Sequence, residues 1–253
     1  MTGLDEIVLA LQGQITLGFL VFLRLSAFFA LLPGFGEQSV PTRIKLGLAL
    51  AMTVIVTPAV SGHLQIAPPV PMIFTEIVTG AMFGIGLRLF VMALQTAGAI
   101  AAQATSLSQL LGGSASEPLP AMGHIMVISG LALAVMTGLH IKAAQFFILT
   151  YDLVPAGTFP RPSIFSEWGV GQVANAFKLA FGLAAPFVIL SVIYNLTLGA
   201  INRAMPQLMV AFVGAPLITA GGLFLLFLTT PLIIAAWLHA MDAFLAAPFG
   251  SAS

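Results

Sequence analysis

Hydrophobic residues run through this chain in long blocks separated by short clusters of proline, glycine and small polar residues. The blocks predict helices near 12–32, 44–61, 70–108, 122–150, 172–203 and 207–243. No segment shows the strict alternation over about 9–11 residues that a membrane β-strand needs. The breaks have their own chemistry. Pro33-Gly34-Phe35-Gly36 closes the first block, since proline cannot continue a helix and glycine accepts a left-handed turn. Ala67-Pro68-Pro69-Val70-Pro71 marks the second break, and Thr158-Phe159-Pro160-Arg161-Pro162-Ser163 separates the first four blocks from the last two.

Charge distribution turns these blocks into membrane spans. Eight Lys plus Arg and eight Asp plus Glu are all the formal charge in 253 residues, 59% of which are hydrophobic. Stretches 46–75, 89–116, 118–141, 179–202 and 204–241 carry no charge at all. Each exceeds the roughly 20 apolar residues that cross a bilayer as a helix, and a helix satisfies its own backbone polar groups there. The expected fold is therefore an all-α integral membrane protein. About six hydrophobic helical segments form one domain over 1–253, in contact with membrane lipid. The first residues, Met1-Thr2-Gly3-Leu4-Asp5-Glu6, are acidic where a signal peptide is basic, so the amino terminus is expected to be retained.

The 70–109 segment is unusual. It is too long for one perpendicular crossing and contains Glu76, Arg88, Gln95, Gln103 and Gln109 among many Gly and Ala. Small residues allow close helix approach, and Gln bonds across an interface or lines a wet cavity. This predicts a broken or bent segment, largely buried in protein. Arg24, Glu76 and Arg88 are the charges inside apolar sequence. An unpaired arginine costs at least ~2.5–3.5 kcal/mol at a bilayer centre. Glu76 and Arg88, twelve apart, point about 120° from each other on an ideal helix, so a direct pair requires a bend or another helix. Two readings stand, a substrate or proton path and a buried pair that fixes packing. The methionines, among them Met82, Met92, Met122, Met126, Met136, Met205 and Met209, are expected to fill the core.

Several function classes lack their residues. The zero net charge gives no basic field for nucleic acid. With no cysteine there are no disulfides, thiolate sites or cysteine nucleophiles. His63, His124, His140 and His239 form no HExxH or HxxxH pair, and isolated helix-end or interfacial positions account for them. No nucleophile elbow, phosphate loop or paired carboxylates occur. No catalytic residue, metal or cofactor is expected, and the chain is not expected to be an enzyme. The connection 106–122 leaves two readings, an ordinary surface loop or a pliable, water-excluding segment. For the second, Gly112 and Gly113 supply flexibility, and Leu110, Leu111, Leu119 and Met122 supply apolar surface.

Three stretches together resemble one family. They are Leu32-Pro-Gly-Phe-Gly-Glu-Gln-Ser-Val-Pro-Thr-Arg-Ile-Lys-Leu-Gly-Leu-Ala-Leu50, Gly84-Ile-Gly-Leu-Arg-Leu-Phe-Val-Met-Ala-Leu-Gln-Thr-Ala-Gly98 continuing to Glu117-Pro118, and Arg203-Ala-Met-Pro-Gln-Leu-Met-Val-Ala-Phe-Val-Gly-Ala-Pro-Leu217. Their order and spacing over residues ~15–240 are similar to the FliR/SctT family of type III secretion export gates, and the wording leans to its flagellar branch. The resemblance implies a bacterial inner-membrane, multi-pass subunit of the flagellar basal body. It would assemble with FliP and FliQ into a ring through which unfolded flagellar subunits pass. FlhB would wrap the cytoplasmic entrance, with FlhA a further partner. It implies bent helical hairpins, with 1–165 a FliP-like part and 166–253 a FliQ-like hairpin turning at Arg203, Pro206 and Gln207. It makes 106–122, with Ser106, Leu110, Leu111, Gly112, Gly113, Leu119 and Met122, the pore plug. Arg24, Glu76 and Arg88 become assembly contacts. The alternative is a small-molecule or proton-coupled secondary transporter using Glu76 and Arg88 at a broken helix.

Overall fold

The computed structural model describes residues 2–37, 39–63, 69–105, 121–159, 161–205 and 210–250. Among them the chain is helical and without strands. In order come α1 (Thr2–Leu31), α2 (Thr42–Val60), a short 3₁₀ turn (Ser61–His63), α3 (Pro69–Thr105), α4 (Ala121–Met136), α5 (Leu139–Leu153), α6 (Pro162–Ala204) and α7 (Val210–Ala246). Five of these helices are long and apolar enough to cross a membrane, or six spans if the bent pair α4–α5 is one of them. The protein is a multi-pass membrane protein.

The stops follow local chemistry. Gly34 takes φ +80°, the left-handed turn anticipated after Pro33, and the Gly36 N–H donates to the Leu32 carbonyl at 2.6 Å. Two expectations are corrected. The 122–150 block is not one continuous helix. Gly138 adopts φ +83° and α4 and α5 diverge by 75° across it, because a single glycine suffices to leave the helical region. The 70–108 block, expected to be broken or bent, is not broken and forms one continuous helix of 37 residues. No proline follows Pro71, and its charges find partners on other elements, so no bend is needed to pair them. α1 and α6 also begin about ten residues earlier than the hydropathy blocks, at Thr2 and Pro162.

The chain divides into two compact units, one of residues 1–89, 135–172 and 243–253, the other of 90–134 and 173–242. In the first, α3 crosses α1 with Gly80 and Gly84 at the contact. A Cβ at Gly80 would fall on the Arg24 carbonyl oxygen, and one at Gly84 would press on Leu31 and the Phe28 carbonyl. Around this crossing lies an aromatic core. Phe28 stacks on Phe146 at 5.8 Å, Phe83 meets Phe146 edge-on at 5.6 Å, and Trp168 packs on Phe83 and Phe249 at 6.0 and 5.8 Å. The Trp168 indole donates to the Pro248 carbonyl at 2.7 Å, which fastens the turn after α7 to the start of α6.

The second unit is built on the same economy of side chain. Gly98 of α3 faces Gly123 of α4 so closely that a Cβ would overlap the Gly123 backbone. Trp237 of α7 is fully buried and donates to the Phe90 carbonyl at 2.8 Å. Met122 and Met126 fill this interior as the core reading expected, and Met82 does so in the first unit. Met92, Met136 and Met205 do not, and are exposed.

Gly98→Ala should therefore destabilise the purified protein by about 1–3 kcal/mol, the range for forcing extra atoms into a packed contact. Gly182→Ala, at a helical position with open space beside it, should be neutral or slightly stabilising. Thermal melts in detergent followed by the fluorescence of Trp168 and Trp237 would check both.

Candidate functional site: a buried arginine–glutamate clasp

The most polar feature of the first unit lies in its interior. Arg24 of α1 and Glu76 of α3 are 1% and 0% exposed. The Arg24 Nε donates to Glu76 Oε2 at 2.6 Å and its Nη2 to Oε1 at 3.1 Å, the two-pronged geometry that suits guanidinium to carboxylate. Nη1 donates to the carbonyls of Thr150 and Val154 at 3.3 and 3.0 Å. Those carbonyls end α5, where the negative end of the helix dipole favours a cation, and the Thr150 carbonyl also accepts from the Val154 N–H at 2.9 Å.

Glu76 is completed from the chain that follows α5. The Gly157 N–H donates to Oε1 at 2.9 Å, and the Tyr151 hydroxyl donates to Oε2 at 3.4 Å. Gly157 has φ +74°, and a side chain there would also strike Met72. The Tyr151 ring lies beneath the guanidinium, 3.8 Å from Cζ to centroid. One network thus joins α1, α3, the end of α5 and the following turn. Both Glu76 oxygens are engaged and every Arg24 nitrogen donates, so the arrangement offers no free acid, base or nucleophile. Its chemistry is that of a clasp. The Thr79 hydroxyl, one turn beyond Glu76, is buried without a partner among the described residues.

Arg88 is brought to a different place. Its Nη1 donates to Glu37 Oε1 at 2.5 Å, with the two side chains 29% and 23% exposed. Lys45 Nζ donates to the Gly36 carbonyl at 3.0 Å, so two cations hold the turn between α1 and α2. Glu76 and Arg88 do not meet, as their 120° separation on a straight helix requires. Arg203 is exposed at the end of α6. Met122 is buried, its sulfur 4.0 Å from the Thr105 hydroxyl. Ser106, Leu110, Leu111, Gly112, Gly113, Leu119, Pro206 and Gln207 lie outside the described residues. His124, His140 and His239 are exposed on separate helices. Sequence reasoning missed Glu37, Tyr151 and Gly157 as partners. An arginine inside apolar sequence was the signal that an acceptor had to exist.

Most of the chain matches known proteins in sequence. Residues 15–244 match the family described as bacterial export proteins, family 1. The chain belongs to that family. Among the family's curated relatives, a flagellar biosynthetic protein FliR of Caulobacter vibrioides is 32% identical over 234 residues, covering 88% of this chain and 92% of the relative. Proteins of the same name from Aquifex aeolicus and Escherichia coli are 30% and 28% identical, covering 85% and 87% of this chain and 85% and 86% of the relatives. The family match contains the whole Arg24–Glu76 network.

In the clasp, Glu76→Leu should cost about 3–5 kcal/mol, because Arg24 is left charged and buried without its counter-charge. The double substitution Arg24→Met with Glu76→Leu should lose clearly less than the sum of the single changes. Folded yield and unfolding midpoint of the four proteins measure the coupling; simple additivity would remove the clasp from the account.

Proposed function

We propose that this chain is a core subunit of the flagellar type III protein export gate. It assembles with FliP and FliQ into the ring-shaped channel through which unfolded flagellar subunits leave the cell. FlhB wraps the cytoplasmic entrance, and FlhA is a further partner. The subunit works in the bacterial inner membrane within the flagellar basal body and is a conducting component rather than an enzyme. One observation carries the reading: the likeness to proteins named flagellar biosynthetic protein FliR runs collinearly over most of both chains.

Physical features support it. In α2 and α6 only 22% of the most hydrophobic window is buried within the chain. Both helices leave broad apolar faces for lipid and for the helices of neighbouring subunits. The connection 106–122 is assigned as the plug of the resting channel, and 166–253 as the FliQ-like hairpin that lets one copy close a ring begun by FliP-like parts. The transporter alternative asks for a broken helix carrying an available carboxylate. α3 is unbroken, and Glu76 is committed to Arg24, Tyr151 and Gly157.

Removing the gene from its host should abolish secretion of flagellar filament subunits into the medium and with it filament growth, and a plasmid copy should restore both. Normal filaments in its absence would overturn the reading.

A further inference from the structure

Most cations of this chain are paired or stand at the end of a helix. Arg24 and Arg88 meet carboxylates, and Lys45 meets a backbone carbonyl. Arg43 lies in the first turn of α2, Arg161 in the turn before α6 and Arg203 in the last turn of α6. Lys178 is different. It lies inside α6, at 1.5 Å per residue about 24 Å from Pro162 and about 39 Å from Ala204. It is exposed, without a hydrogen-bond or ion-pair partner among the described residues. Phe177 and Phe181 are exposed beside it, and no formal charge follows until Arg203.

One turn beyond Lys178, Gly182 is exposed too, and a Cβ built on it would meet no atom within 4 Å. At about 100° per residue Lys178, Gly182 and Ala185 fall within a sector of about 60°, with Phe181 at its flank. The surface is an ammonium followed by two small residues. The ion pairs formed by α3 show what such a surface accepts. Glu76 stands one turn before Gly80 and Arg88 one turn after Gly84, and α1 lies directly against both glycines. A charge and a glycine one turn apart let a second segment come close enough for cation and carboxylate to meet. Lys178 and Gly182 repeat that spacing on a face that no described part of this chain covers.

Lipid and water suit this face less well than a helix does. A lysine that reaches for a headgroup lays its aliphatic stem along apolar surface and gains nothing from an open glycine beside it. Small residues instead admit the backbone of another helix. The exposed phenylalanines and the charge-free run that follows are the wrong lining for water.

We propose that the Lys178–Gly182 face of α6 docks a helix of a neighbouring gate subunit, whose Asp or Glu pairs with the Lys178 ammonium while its backbone lies over Gly182 and Ala185. The assignment rests on the export-gate reading. It goes beyond that reading by naming the face of this chain and the chemistry its neighbour brings. The pairing is selective, because a helix without a carboxylate at this level would bury the ammonium uncompensated.

The chain is co-expressed with FliP and FliQ, and the complex in mild detergent is treated with an apolar carbodiimide. The reagent activates a carboxyl group, the Lys178 amine displaces the resulting urea, and an amide joins the two side chains. Peptide mass spectrometry should find Lys178 linked to an Asp or Glu of another subunit. Lys178→Arg keeps the charge but forms no such amide, so it should assemble normally without the link. Lys178→Met should lower the recovered complex ~10-fold or more, as expected for removing one partner of a desolvated charge pair. Gly182→Leu should also lower it, without lowering the unfolding midpoint of the lone chain, where the space beside Gly182 is open. Full assembly of Lys178→Met with no amide at Lys178, or loss of a bound phospholipid as its sole effect, would overturn the docking site and leave the gate reading standing. If the unaltered chain forms no complex with FliP and FliQ, both fall.

Discussion

An arginine and a glutamate placed out of reach of water are the constraint on which the first unit is built. Moving either charge alone into a medium of low polarity costs several kcal/mol, and only close, fully bonded pairing offsets that cost. The geometry meets the demand. Arg24 holds both Glu76 oxygens, its remaining nitrogen bonds the end of α5, and Gly157 and Tyr151 complete the carboxylate. A network this directional fixes three helices in register, which apolar packing alone does weakly. The small residue at Gly80, one turn along α3, is the counterpart of that demand. It lets the α1 backbone come close enough for the side chains to meet. The phenylalanines and Trp168 then fill the space around a crossing already set by charge.

Much of the fold was legible because it depends on run length. Charge-free stretches longer than a bilayer is thick can only be helices in lipid, and the Pro33–Gly36 turn announced itself by composition. The break at Thr137–Gly138 was hidden because one glycine inside a uniformly apolar block looks like the many helical glycines around it. The continuity of α3 was hidden by its length and its charges. Its glycines, read as sites of close helix approach, are contact points at Gly80, Gly84 and Gly98, and the apparent conflict between Glu76 and Arg88 dissolves once each has a partner on another element. Arg24 and Glu76 stand 52 residues apart, and nothing local links them. Pairing at that distance becomes visible only when α1 and α3 are laid across each other. The glutamines of α3 were read as bonds across a helix interface or as the lining of a wet cavity. The exposure of Gln95 and Gln103 is consistent with both.

The second unit contrasts with the first. Its interior includes close glycine contacts and a buried tryptophan, while its exposed surface is largely apolar on α4, α6 and α7, with Gln95 and Gln103 exposed on α3. The same chain thus joins an interior specified by charge in one unit to a largely apolar surface in the other. This is the organisation expected of a part that completes its burial only by assembly.

Assembly is thus the central claim, and native mass spectrometry of the chain co-expressed with FliP and FliQ of the same organism, extracted in mild detergent, tests it most directly. The account predicts a discrete hetero-oligomer holding one copy of this chain among several copies of each partner. A stable lone monomer or homodimer in the presence of both partners would contradict it.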